Sequence, residues 1–133
     1  ALVANAKKVA LLTLGIAYQK FMMELEDQQE VLAGITDIAM SAFAMESVLL
    51  RTEKMAAGGK GENARAMTEV FLRDAMGVVE NAARNVLAAC SEGDALRMNL
   101  SVLKRFTKFE PVNAIGLRRE IAARLLAAAR YTV

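Results

Sequence analysis

Glu46 and Glu80 are the side chains whose surroundings come closest to those of an acid–base catalyst. Glu46 follows the apolar-stripe residue Met45, and Glu80 follows Val78 and Val79. A carboxyl group held in an apolar pocket has a raised pKa and can serve as a general base. The same placement suits a carboxylate paired with an arginine of a neighbouring helix, for which Arg51, Arg73 and Arg84 are available. No second catalytic group stands near either glutamate in sequence, so pairing is the expectation. The chain has no His and one Cys, Cys90. Zinc sites, di-iron sites built on Glu-x-x-His and triads with His as base therefore lack their donors. Cys90 follows Ala88 and Ala89 at the end of an apolar stripe and reads as a small buried hydrophobe rather than a reactive thiol. Having no partner for an intrachain disulfide, it points to a reducing compartment.

Three further features bear on binding. Gly58-Gly59-Lys60-Gly61 precedes a helix and could set backbone N–H groups near a phosphate, but it lacks Walker spacing and follows no strand. A solvated loop is the better reading. The eight methionines, Met22, Met23, Met40, Met45, Met55, Met67, Met76 and Met98, are scattered along the chain, which favours gap-filling in the core over a binding groove. Charge is uneven: residues 1–92 carry a net of −3 and residues 93–133 a net of +5. Lys104, Arg105 and Lys108 interleave with Phe106 and Phe109, and Arg118 and Arg119 follow. Such a face could meet an acidic protein domain, anionic lipid or the phosphates of a nucleotide, or stay solvated. The overall net charge of +2 is too small to imply nucleic acid.

The elements that position these residues are helical. The composition is 55% hydrophobic and 5% aromatic with one Pro, rich in residues that lose little rotamer freedom in a helix. Apolar spacing predicts a first helix over Leu2–Leu25 with the stripe Ala6, Val9, Ala10, Thr13, Ala17 and Phe21, and with Leu11, Leu14 and Tyr18 beside it. A helix apolar over so much of its circumference needs cover on more than one side. Asp27, with Glu30 three residues on, reads as a capping box opening a second helix, Gln28–Ala57, along Val31, Ile35, Ile38, Ala42, Met45 and Leu49. The glycines at 58, 59 and 61 end it. A third helix, Glu62–Ser91, presents Met67, Val70, Phe71, Ala75, Val78, Ala82, Val86 and Ala89; Gly93 closes it and Asp94 caps the next. A fourth, Ala95–Phe109, buries Leu96, Leu100, Leu103 and Phe106 and stops before Pro111. The last, Ala114–Ala129, offers Ile115, Ile121, Ala122, Leu125 and Ala129. The expected fold is a single all-α domain over residues 1–133, an antiparallel bundle of about five helices, three long and two shorter. Val9–Ala17, read as the most apolar stretch, is too short to span a bilayer, and no signal peptide is apparent. A start at Ala1 inside a helix is what a piece of a longer protein would look like.

Several strings carry a family resemblance. Asp27-Gln28-Gln29-Glu30-Val31-Leu32, Ala44-Met45-Glu46-Ser47-Val48-Leu49-Leu50-Arg51, Phe106-Thr107-Lys108-Phe109-Glu110-Pro111-Val112-Asn113 and Arg118-Arg119-Glu120-Ile121-Ala122 resemble the domain appended at the C-terminus of very-long-chain-type acyl-CoA dehydrogenases. None is a catalytic motif. The resemblance implies a parent enzyme that uses FAD to oxidise a fatty acyl-CoA to its trans-2-enoyl thioester, with flavin, substrate and catalytic glutamate in other domains. It assigns no catalytic residue, flavin ligand or metal to this chain. It implies the parent's remaining domains as partners, with a homodimer or peripheral membrane contact as further options. The expected location is intracellular: cytoplasmic, peripheral at an inner membrane, or the mitochondrial matrix in a eukaryote. A free-standing helical module that binds an anionic membrane or an acidic protein is the alternative.

Overall fold

Apolar residues at three- and four-residue spacing fold into five helices, and a computed structural model describes all residues, 1–133. They are α1 (Leu2–Phe21), α2 (Gln29–Ala57), α3 (Glu62–Cys90), α4 (Gly93–Thr107) and α5 (Ala114–Ala128), with a short 3₁₀ segment, Met22–Asp27, between α1 and α2. There is no strand. The all-α bundle expected from composition and periodicity is what forms.

α1 and α2 run antiparallel, and a Lys7–Glu46 ion pair marks their seam. α2 and α3 form a long hairpin, closed at one end by Gly58–Gly61. Gly61 adopts φ 89° with a Cβ position only 2.9 Å from that of Met55, so turn and space both demand glycine. α4 and α5 then run back along α3 one after the other, like one helix broken at Pro111. Arg73 fastens the break, its Nε donating to the Glu110 carbonyl at 3.1 Å and its guanidinium lying over the Phe109 ring. Arg124 binds the Glu62 carbonyl at the far end. α3 is the central helix and touches all four others, whereas α5 touches α3 alone.

The core has two parts. The larger joins Val3, Ala6 and Val9 of α1 to Ile38, Ala42 and Met45 of α2, to Met76, Val79, Ala83 and Leu87 of α3, and to Leu103 of α4. The smaller holds Ala17, Val31, Ile35, Val86 and Cys90, with Phe21 and Leu25 at its edge. Gly34 lets α2 and α3 approach there, since a Cβ on it would meet Val86 Cγ2 at 2.7 Å. Thr13, Thr68 and Thr107 are buried and return their hydroxyls to carbonyls one turn back, so none is left unpaired.

Local details depart from the sequence reading. α1 ends at Phe21, not Leu25: Met22 takes φ 48° and the chain tightens into the 3₁₀ segment, which swings Leu25 back onto the smaller core. Asp27 therefore closes that segment instead of capping α2; Gln28 occupies the cap position without a side-chain bond. Asp94 lies inside the first turn of α4, paired with Arg97 at 2.9 Å, and Glu92 holds the cap position. The side chain that does cap is Asn113, which accepts from the Gly116 N–H at 2.9 Å. On α3, Val70, Ala75 and Val86 of the expected stripe are buried, but the centre of the core face lies about one residue further round. Met76, Val79, Ala83 and Leu87 are buried, while Phe71, Val78 and Ala89 are exposed. On α5, Ile115 and Ala122 face outward and Ala129 lies beyond the helix at φ 53°. Only Met45 and Met76 of the methionines are buried; Met22, Met23, Met40 and Met98 are exposed, so most are not core fillers.

Candidate docking face

The two glutamates are set by their helical positions. Glu46 points across the α1–α2 seam and its Oε2 meets Lys7 Nζ at 2.6 Å, with both side chains about half exposed. Its partner is this lysine, not one of the arginines expected. Glu80 is half-buried on α3 beside Arg84 and Lys104 in a shallow pocket of about 250 Å³, and makes no ion pair. Arg73 is committed to the Glu69 and Glu110 carbonyls. Neither carboxylate sits in the closed apolar pocket that a general base would need. Cys90 is buried in the smaller core, where loss of solvation pushes its thiol pKa up and the charge of Lys20 offsets part of the rise.

Three of the four N–H groups of the glycine loop are already used. The N–H groups of Gly58 and Lys60 both bond to the Met55 carbonyl, and that of Gly59 bonds to Ala56. These are helix-ending bonds, and they leave those donors turned inward rather than toward a phosphate. The basic C-terminal residues divide into two groups. Lys104, Arg105 and Lys108 are exposed around the end of α4 and form no ion pair, and Arg119 is exposed on α5. Arg118 instead spans to Asp74 of α3 at 2.7 Å and helps pin α5 in place.

What stands out is apolar. On α1, Leu11, Leu14 and Tyr18 follow one another at three- and four-residue spacing, with exposures of 71%, 44% and 59%. On α2, Met40, Phe43 and Leu50 are exposed at three- and seven-residue spacing, with Phe43 at 74%. Lys7 lies one turn before Leu11, and Glu46 three residues after Phe43, so their ion pair places both stripes along the same seam. Asp37 lies three residues before Met40 and Lys54 one turn after Leu50, at the two ends of the α2 stripe, and the Lys7–Glu46 pair between the stripes is internally neutral. Six such side chains leave on the order of 500 Å² of apolar surface, the upper range for a lone monomer. Covering it would contribute on the order of 10 kcal/mol before the costs of association. The over-apolar first helix signalled half of this face. The other half belongs to α2, which contains an 18-residue stretch of mean hydropathy 1.4, long and apolar enough to cross a membrane, so the most apolar part of the chain is not confined to Val9–Ala17. Packed between α1 and α3 through Ile38 and Met45, α2 has apolar side chains to spare, and these are the ones left outside.

An all-helical bundle with an uncovered apolar face and no assembled catalytic set is the class that geometry defines. Residues 5–105 match the family model for the acyl-CoA dehydrogenase C-terminal domain, and the chain belongs to that family. A probable acyl-CoA dehydrogenase of Bacillus subtilis (strain 168) is 42% identical over 99% of this chain. The crystal structure of an acyl-CoA dehydrogenase complexed with FAD from Bacillus anthracis superposes with a TM-score of 0.96 at 43% identity, also over 99% of this chain. The chain spans 23% and 24% of the lengths of these two relatives. The family model stops within α4, so α5 lies beyond it.

Proposed function

We propose that this chain is a non-catalytic supporting domain of an FAD-dependent acyl-CoA dehydrogenase, and that its α1–α2 apolar face docks against the remaining domains of that enzyme. The observation that carries this reading is the exposed apolar face of Leu11, Leu14, Tyr18, Met40, Phe43 and Leu50 on a chain about a quarter as long as its relatives. The residues present do not fit FAD. A pyrophosphate needs several backbone or cationic donors, but three of the four glycine-loop N–H groups, those of Gly58, Gly59 and Lys60, are spent within the helix end. The cleft between α2 and α3 is rimmed by Glu30 and Asp37, with Asp74 already paired to Arg118, and no cation lines it to receive an anion. On this reading the flavin and the oxidation of the acyl thioester belong to the other domains.

The test compares Phe43→Glu in the isolated chain and in the full-length enzyme. In the isolated chain an exposed substitution should change stability by no more than about 0.5 kcal/mol. In the full enzyme a charge buried at the docked face should lower the melting temperature and open the domain junction to protease. Equal, negligible effects in both settings would refute the docking. A visible absorbance scan of the purified chain adds a second check, because bound flavin would overturn the non-catalytic reading.

A second reading rests on the exposed, unpaired Lys104, Arg105 and Lys108. Each lysine or arginine near an anionic bilayer contributes about 1 kcal/mol, enough for weak peripheral contact if they act together. Co-sedimentation with anionic and with zwitterionic vesicles decides it; negligible binding to both removes it, along with the free-standing membrane-binding module.

A further inference from the structure

α5 is held more loosely than any other α-helix of the bundle. None of its fifteen residues is buried, and its apolar contact with α3 is made by Leu117, Ile121 and Leu125, all half-buried. No other helix touches it. A helix of that length is marginal in water without tertiary support, so α5 stays in place only through what α3 gives it. Residues 108–113, which lead into it, are non-helical, and Pro111 is exposed.

Polar ties fasten its two ends. At the start, Arg118 meets Asp74 at 2.7 Å, but both side chains are more than half exposed, which makes the pair a weak one. At the far end the tie is Asn63, which is 3% exposed. Ala129 turns the chain back at φ 53°, and Asn63 Nδ2 donates to the Thr132 carbonyl at 2.9 Å while its Oδ1 accepts from Arg124 at 3.4 Å. Asn63, Ala66, Val70 and Asp74 lie on one face of α3, at positions i, i+3, i+7 and i+11, so Ala66 and Val70 are buried beneath α5. The tail also walls one side of a cleft of about 510 Å³ between α2 and α3, where Tyr131 and Val133 join Met55, Met67 and Phe71.

We infer that α5 and the tail beyond it form a releasable strap: residues 113–133 leave α3 as one unit, at a free energy well below that of unfolding. Segments with few buried apolar contacts are the ones that open in this way. Residues 108–112 are the hinge and Asn63 is the catch. Closed, the strap hides Ala66 and Val70 and completes the cleft. Open, it presents an apolar strip on α3 beside Asp74, whose cation has left with α5, and the cleft loses its tail wall. The other four helices keep both cores, because no residue of α5 belongs to either. Release needs nothing from the α1–α2 face, so it stands whether or not that face docks.

Thiol labelling of the 133-residue chain reads the release. With Cys90→Ala removing the one native thiol, Val70→Cys places a single thiol under the strap. It should react about 100- to 1,000-fold more slowly than in the urea-unfolded chain. Below the unfolding transition the rate should be nearly independent of urea, because release uncovers little surface. Asn63→Ala takes the partner from the Thr132 carbonyl and from Arg124, and should speed the reaction by roughly 10-fold with unchanged helical circular dichroism. Ile121→Ala removes apolar contact from a helix on which neither core depends, so it decides the matter even where Asn63→Ala fails to fold. It too should speed the reaction by roughly 10-fold. A rate that climbs with urea from the outset as steeply as unfolding overturns the inference, since the thiol is then reached only through global unfolding. A rate unchanged by Ile121→Ala, or by a folded Asn63→Ala, overturns it as well. So does labelling as fast as in the unfolded chain, which would mean that the strap has no closed state.

Discussion

Gly34 and Val86 should be energetically coupled, and the structure gives the size of the coupling. A methyl added at Gly34 would stand 2.7 Å from Val86 Cγ2, well inside the ~3.5–4.0 Å at which carbon atoms rest. Val86 is 3% exposed and β-branched, so it cannot rotate away, and α2 and α3 would have to part. Overpacking of this kind costs about 1–3 kcal/mol. Against it, replacing a mid-helix glycine by alanine gains about 1 kcal/mol of helix propensity. Gly34→Ala should therefore destabilise the wild type by about 0–2 kcal/mol. With Val86→Ala in place, the next atom near the new methyl is the Ala82 carbonyl oxygen at 3.9 Å, an ordinary contact. There the same substitution should stabilise by about 1 kcal/mol. Urea unfolding of the four proteins in the cycle measures the difference, expected at about 1–3 kcal/mol. A coupling below about 0.5 kcal/mol, or a Gly34→Ala protein more stable than wild type, would refute the close approach of the two helices.

Other outcomes follow from single contacts. Leu103→Ala removes a fully buried side chain of the larger core and should cost about 2–5 kcal/mol in chemical denaturation. Asn113→Ala deletes the cap on α5 and should lower the opening free energy of that helix by about 0.5–2 kcal/mol, read by amide exchange over Ala114–Ala128 while α3 amides are unaffected. Burial raises the Cys90 thiol pKa above its unfolded value, so stability should be intact at neutral pH and fall once the unfolded thiol ionises, above about pH 8.5. Cys90→Ser should abolish that decline. Alkylation of Cys90 should be slow in the folded chain and become rapid in denaturant.

How much of this was legible in the sequence depended on how many sides of each helix are packed. α2 has a single buried stripe, and Val31, Ile35, Ile38, Ala42 and Met45 could be read directly from their spacing. α4 presents Leu96, Leu100, Leu103 and Phe106 for the same reason. α3 is packed by four helices, so Val78, Val79, Val86 and Leu87 satisfy two adjacent stripes, and periodicity alone does not say which faces inward. The turn at Met22 was hidden because Phe21-Met22-Met23-Glu24-Leu25 are all compatible with helix, and the break answers to the packing of Leu25. The docking face was half visible, as surplus apolar residues on α1. Its completion by Met40, Phe43 and Leu50 depended on the side from which α2 approaches. The cationic tail looked continuous in sequence, yet Arg118 is drawn off to Asp74, forty-four residues upstream.

Because α5 rests on α3 and on nothing else, the bundle is divisible at Pro111. α1 to α4 keep every contact they make with one another when α5 lifts away, since none of those contacts passes through it. The segment from Lys108 to Val112 is non-helical, with Pro111 exposed, which makes it a natural cutting point for a protease. Cleavage there would be a subtraction rather than a collapse. The fragment left behind would retain the α1–α2 face and both cores, and lose α5 together with the tail beyond it, whose Thr132 carbonyl accepts from Asn63 Nδ2. Attachment to a larger enzyme through the α1–α2 face would thus outlast a cut that removes α5.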